Sequence, residues 1–227
     1  MERAFGSLWI DWKNGFELWN TSIKFMRKRI FSENKAVIFD LELTSWPGTN
    51  ERNWSRPNEH REIIQIGAVI IGTTGNMHEV NSFQILVCAL KNPILSNYIT
   101  DLTGITQEKI EKEGVPFPLG LSRFLSFIGE HPINIFCNGE DKQVLEENCR
   151  IHRFAFPSVF NHSTDLKKKF SEILGVSQKE CVSSMLPKLF GFSNTEKSHD
   201  ALGDARSISQ VLRQLHKKEK LHNQFMK

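Results

Sequence analysis

The stretch Ala36-Val37-Ile38-Phe39-Asp40-Leu41-Glu42-Leu43-Thr44 decides the fold. A run of apolar, β-prone residues leads straight into two carboxylates one residue apart. Side chains alternate along a strand, so Asp40 and Glu42 share one face while Phe39 and Leu41 take the other. Two carboxylates about 7 Å apart on one face repel each other unless cations lie between them, a spacing suited to hard divalent ions. Alone, the pair reads more readily as two solvated acids at a strand end. Its meaning depends on partners elsewhere in the chain.

Working outward, Ser45 to Arg61 is polar and rich in Pro, Asn and Trp, which marks a loop. Lying directly behind the acids, it is either a substrate-contacting lid or a plain solvated loop. Glu62 to Ile71 is nearly all apolar and predicts a central strand, and Asn81 to Leu90 alternates as a third. Helix signals then dominate: Leu95–Leu102, a helix from Thr106 to Lys112, and Pro116–Gly129. The strand Ile133–Cys137 follows. Helices are expected over Asp141–His152, Asp165–Leu174 and Val182–Phe190, with a last one from about Asp200 past His216. Strands first, then strands and helices mixed, predict an α/β domain.

With 227 residues the chain can bury one good core, and one domain plus an extension is the natural plan. A composition 39% hydrophobic and 24% charged is that of a soluble globular protein, and a net charge of +3 permits a nucleic-acid partner without requiring one. The cysteines Cys88, Cys137, Cys149 and Cys181 lack zinc spacing, which favours a reducing, intracellular compartment, the cytoplasm ahead of the nucleus. No apolar run of about 18 residues predicts a membrane span, and no secretory signal is expected at the N-terminus. Phe5, Trp9, Trp12, Phe16, Trp19, Ile23 and Met26 recur at gaps of four and three, predicting an amphipathic helix with basic residues mostly off the stripe. That helix either packs on the domain, pairs with a second subunit, or binds a protein partner or a membrane surface. The expected division is a helical extension over 1–33, a catalytic domain over 34–218, and a basic tail over 219–227.

Three further places bear on the acid pair. Asp141 follows a strand and a Gly turn and starts a helix, where a strand-end site would expect another ligand. His199 and Asp204 are five apart, about 140° of helical rotation, so they reach one site only if His199 sits on the loop before the helix and Asp204 in its second turn. Asp40-x-Glu42, Asp141, and His199-x4-Asp204 together resemble the three motifs of the DEDDh 3′-to-5′ exonucleases, over about residues 35–215. Asn92 to Ser96 and Leu102-Thr103-Gly104-Ile105-Thr106-Gln107 look like the enhanced-RNAi and histone-mRNA branch of that superfamily. Two places depart from the pattern: Leu43 stands where Thr or Ala is usual, and Asn138-Gly139-Glu140-Asp141 replaces the more usual Trp-Gly-x-x-Asp. Glu140 and Asp200 are neighbouring acids that compete for the ligand role.

The resemblance implies an RNase H-like mixed five-stranded sheet flanked by helices. It also implies a two-metal exonuclease using two Mg²⁺ or Mn²⁺ ions. Asp40 would bridge both ions, Glu42, Asp141 and Asp204 would complete their shells, and His199 would take a proton from the attacking water. Leu43 and Thr44 are expected at the terminal sugar. Ile105 would either stack on the terminal base or serve as a core residue. The basic residues Arg206, Arg213, Lys217, Lys218 and Lys220 would track phosphates or form a solvated face. The expected substrate is single-stranded RNA or an RNA 3′ overhang. A DNA exonuclease and a non-catalytic RNA-binding module on the same fold are the alternatives.

Overall fold

The structure, a computed structural model, describes residues 34–130 and 133–225. The N-terminal stripe over 1–33, with its partner or membrane role, lies outside the described residues. The elements run β1 (Lys35–Leu43), α1 (Thr49–Arg52), β2 (Ile63–Gly72), β3 (Glu79–Cys88), α2 (Asn97–Thr103) and α3 (Gln107–Glu113). They continue through β4 (Val115–Pro116), α4 (Phe117–Ile128), β5 (Asn134–Cys137), α5 (Asp141–Ile151), β6 (Thr164–Asp165), α6 (Lys167–Leu174), α7 (Leu186–Leu189) and α8 (Ala201–Phe225).

One mixed sheet has the order β4-β3-β2-β1-β5-β6. It holds six strands where the resemblance implied five; β4 and β6 are two-residue edge strands too short to show any periodicity, so the residue pattern marked only the other four. β1 pairs antiparallel with β2 and parallel with β5, so the carboxyl ends of β1 and β5 lie side by side. In open α/β sheets this is where ligands bind.

The alternation along β1 separates two cores. Ala36 and Ile38 face one layer with Val69, Ile71 and the α8 residues Ile208 and Val211. Val37, Phe39 and Leu41 face the other with Phe117, Phe124 and Phe160. Phe39 sits 5.7 Å from both Phe124 and Phe160, and each fully buried side chain of this size contributes about 1.5–3 kcal/mol. Asp40 and Glu42 point toward the α8 layer. Gly67, opposite Asp40 on β2, lets α8 approach: a Cβ there would lie 2.1 Å from the backbone of Ala201 and Leu202.

Two helical segments differ from expectation. The segment expected as a single helix over Val182–Phe190 divides into a 3-10 turn, Ser183–Met185, and α7. Pro187 lies in the first turn of α7, where its missing N–H costs nothing, but it cannot extend a helix arriving from Val182. α8 runs on through Phe225, so the expected tail boundary at 218 falls inside a helix. Among the described residues no helix is long and apolar enough to cross a membrane. All four cysteines are free thiols.

Candidate active site

The acids converge from three elements at one end of the sheet. Asp40 and Glu42, each 7% exposed, come from the end of β1, beside a register shift in the β1–β2 ladder at Glu42/Leu43. Asp141 opens α5 after the Asn138-Gly139 turn. Gly139 needs its φ of 121° to turn the chain there, and its N–H donates to Asp165 Oδ1 (2.7 Å), which also accepts from Lys167 N (2.8 Å). Asp165 therefore holds the turn that presents Asp141. Sequence reasoning took it only as a helix start.

Asp204 is buried and lies in the first turn of α8 rather than the expected second, because the helix begins at Ala201. His199 precedes the helix in the left-handed region, φ 55°. Donor atoms of Glu42, His199 and Asp204 all lie within 4.8 Å of one another. The loop carrying His199 is tied at several points: Lys197 Nζ donates to Thr103 O (2.6 Å), Asn194 Nδ2 to Ser184 O (2.8 Å), and Gln65 Oε1 accepts from Ala201 N (2.8 Å).

Burial, and then the other carboxylates, push the Asp40 carboxyl well above its ordinary range, against a hydrogen bond from Ser183. Burial and Asp204 do the same to Glu42, against the charge of Lys197. Asp141 is raised to about 7 by burial and Asp165. Asp204 reaches about 7 through burial, despite a backbone N–H bond from His199. Asp40 and Glu42 are thus raised by Asp141 and Asp204 beyond the effect of burial, and the nearby Lys197 and Lys167 offset this only in part. Asp204 Oδ1 is buried without a hydrogen-bond partner among the described residues, a costly state for a carboxylate oxygen. An orphaned oxygen amid four hard oxygen donors fits a divalent cation.

The competing acids are occupied elsewhere. Asp200 caps α8, with Oδ2 accepting from Gly203 N (3.1 Å) while Oδ1 accepts from Gln84 Nε2 (2.7 Å) and Gln65 Nε2 (3.2 Å). Glu140 is 64% exposed and pairs with Arg61.

Among the residues expected at the substrate, Leu43 lines a cleft of about 1090 Å³ together with Asp40, Trp54, Asn138, Asp141 and Lys167. Thr44 does not face it freely: its hydroxyl donates to His60 O (2.5 Å) and accepts from Glu62 N (3.0 Å), closing the base of the loop. Stacking by Ile105 is corrected: it is 4% exposed and packs with Ile64, Ile99 and Ile110, so it is a core residue with no free face for a base. Arg206 is paired with Glu79, and Arg213 Nε donates to Met77 O, which turns both toward the β2–β3 hairpin rather than the cleft. The Lys218 and Lys220 side chains lie outside the described residues.

The 45–61 segment forms part of the wall of this cleft through Asn50, Glu51, Asn53, Trp54 and Arg61. Trp54 Nε1 donates to Thr44 O (2.9 Å), and Arg61 sits 5.4 Å over the Trp54 ring while pairing with Glu147 (2.6 Å) and Glu140 (2.5 Å). Those bonds join the loop to α5, the helix that carries Asp141.

With this geometry in place, residues 37–212 match the exonuclease family. The chain belongs to that family. It is 34% identical over 198 residues to ERI1 exoribonuclease 2 of Homo sapiens, covering 76% of this chain and 27% of that one. The chain thus spans about a quarter of the length of such curated relatives. The nuclease domain of 3'hExo, a DEDDh family member bound to rAMP, shares the fold: TM-score 0.71, 20% identity, 82% of this chain and 94% of that one. A 3'-exonuclease structure described as recognising the histone mRNA stem-loop gives TM-score 0.71 at 19% identity, covering 82% of each chain. DEDDh exonucleases depend on divalent metal, and the acid–histidine cluster here suits that requirement.

Proposed function

We propose that the chain is a metal-dependent 3′-to-5′ exoribonuclease that releases nucleoside 5′-monophosphates from a single-stranded RNA end or 3′ overhang. One observation carries the reading: Asp40 and Glu42 at the end of β1, Asp141 at the start of α5 and Asp204 on α8 converge on one site, with donor atoms of Glu42, His199 and Asp204 within 4.8 Å of one another. In this reading Asp40, Glu42, Asp141 and Asp204 hold two Mg²⁺ or Mn²⁺ ions. Bound ions of this kind supply Lewis-acid polarisation of the phosphoryl oxygens. The chain's own contribution is to present oxygen donors with little reorganisation, because β1 is clamped between β2 and β5.

Burial lowers the His199 pKa below its ordinary value. The imidazole is then neutral near pH 7, as a group accepting a proton from water must be. Leu43, in the cleft wall, is proposed to contact the terminal nucleotide. Two supports favour RNA: the relatives named as exoribonucleases, and rAMP in a structure of the same fold. The four free thiols suit an intracellular, cytoplasmic setting.

The test is a gel assay on 5′-labelled single-stranded RNA and matched DNA with Mn²⁺, Mg²⁺ or EDTA, with Asp40→Ala as control. The expected result is a ladder shortening from the 3′ end of RNA, abolished by EDTA and by the substitution. Faster cleavage of DNA would move the substrate class. Binding without cleavage, unaffected by EDTA, would make the chain a non-catalytic RNA-binding module.

A further inference from the structure

Asn138 departs from the family pattern, and the structure shows what it does instead. Its side chain is 7% exposed, next to the Gly139 turn, with Nδ2 donating to Cys181 O (2.9 Å) and to Ser183 Oγ (3.1 Å). The Ser183 hydroxyl, 6% exposed, donates to Asp40 Oδ1 (3.0 Å). The direction of each bond is set by chemistry. The Cys181 carbonyl can only accept, and so can an ionised Asp40, so Ser183 must donate to Asp40 and accept from Asn138. Both partners therefore force the amide nitrogen of Asn138 toward Ser183 and leave its Oδ1 buried without a partner among the described residues.

We infer that Asn138 and Ser183 are positioning residues that hold the Asp40 carboxylate for a divalent cation, through a directed relay from Asn138 Nδ2 to Ser183 Oγ to Asp40 Oδ1. The inference rests on Asp40 being a metal-holding acid, as proposed above. Asp40 needs such a tether because three other acids push it away. A hydroxyl bonded to one oxygen fixes the carboxylate plane and leaves the other oxygen free. The relay reaches the loop between α6 and α7 through Cys181 and Ser183, and the end of β5 through Asn138. It therefore ties two distant segments to the central strand, its two bonds spanning 45 and 143 residues of sequence.

The experiment titrates Mn²⁺ into the full chain by calorimetry and measures RNA cleavage against Mn²⁺ concentration, for wild type, Ser183→Ala, Ser183→Thr, Asn138→Ala and the double variant. Removing hydrogen-bond partners of metal-holding carboxylates typically weakens metal binding about 10- to 100-fold. Expected are a loss in that range for Ser183→Ala, a saturated rate within about threefold of wild type, and recovery in Ser183→Thr, which keeps the hydroxyl. Asn138→Ala should show a smaller loss that vanishes in the Ser183→Ala background, because both act through one bond to Asp40. A merely structural role would lower Tm without moving the Mn²⁺ midpoint. Wild type that binds Mn²⁺ with Ser183→Ala binding equally well overturns the relay alone. Wild type that binds no Mn²⁺ overturns the metal reading, and the relay with it.

Discussion

Two buried carboxylate regions lie within a few residues of each other on the β1–β2 ladder and have opposite surroundings. Glu62, fully buried at the start of β2, accepts from Leu90 N (2.7 Å), Lys91 N (2.9 Å) and Asn92 N (2.7 Å). Its charge is met by backbone N–H groups, and it joins the end of β3 to the start of β2. The cluster of Asp40, Glu42, Asp141 and Asp204 is met mostly by other acids, and Asp204 Oδ1 has no partner among the described residues. Burial alone therefore does not mark a functional acid. The sign of its surroundings does: a saturated carboxylate stabilises the fold, and an unsatisfied group of them costs stability that a cation can return.

The strongest way to break this contrast is to neutralise one acid of each kind. Asp204→Asn should lower the metal-dependent cleavage rate by about 10³-fold or more, since a bound cation contributes several kcal/mol to such a step. It should leave the fold intact, because it removes a like charge. Glu62→Gln should do the reverse: stability falls by about 1.5–3 kcal/mol as charge-assisted bonds weaken, with cleavage within about fivefold. Rates together with urea melts on both variants decide it. Similar profiles would collapse the distinction.

Gly67→Ala tests whether the cluster depends on backbone approach. The added Cβ meets the Ala201 and Leu202 backbone at 2.1 Å, so α8 must shift and carry Asp204 with it. A displacement near 1 Å can cost about 10²-fold in rate. The expected result is such a loss with reduced Tm, while Gly75→Ala, whose Cβ meets nothing within 4 Å but whose φ of 66° strains any side chain, lowers Tm and keeps the rate.

The pH dependence sharpens the contrast further. In metal-free protein, Asp141 and Asp204 keep their protons up to about pH 7, whereas an unfolded aspartate loses its proton near pH ~3.9. Between these values the folded state holds more protons, so stability falls as pH rises through this window and stays low above it. With EDTA, Tm should be lower at pH 8 than at pH 5. Adding Mn²⁺ should raise it more at pH 8, and Asp204→Asn should flatten the slope. A pH-independent difference between wild type and this variant would contradict the raised pKa values. The smallest expected effect is Ile105→Val: a loss of about 0.5–1.5 kcal/mol from a core methylene, with unchanged KM for RNA. A raised KM at unchanged stability would return Ile105 to the substrate.

Much of this was legible in the sequence because it is local. Period-two alternation in 36–44 put Asp40 and Glu42 on one face and Phe39 and Leu41 on the other, as the two cores show. The helix expected from Thr106 to Lys112 appears as Gln107–Glu113, with the Thr106 hydroxyl accepting from Lys109 N. The placing of His199 before the last helix followed from rotation per residue, whereas Asp204, expected in the second turn, falls in the first because the helix begins at Ala201. The two-residue strands had no period to display, and Pro187 cut a helix that apolar spacing alone would continue.

What the tertiary structure alone decided are the contacts between distant segments. Nothing near Asp165 in sequence shows that it holds the Gly139 turn. Nothing near Ser183 points to Asp40, 143 positions away. Thr44 and Ile105 have residue types suited to a nucleotide, yet one is spent on His60 and Glu62 and the other on the core. Side-chain pattern sets which face a residue takes, because backbone geometry repeats along an element. Which partner waits on that face depends on how the elements pack, and here that packing separates a satisfied acid from one held ready for a cation.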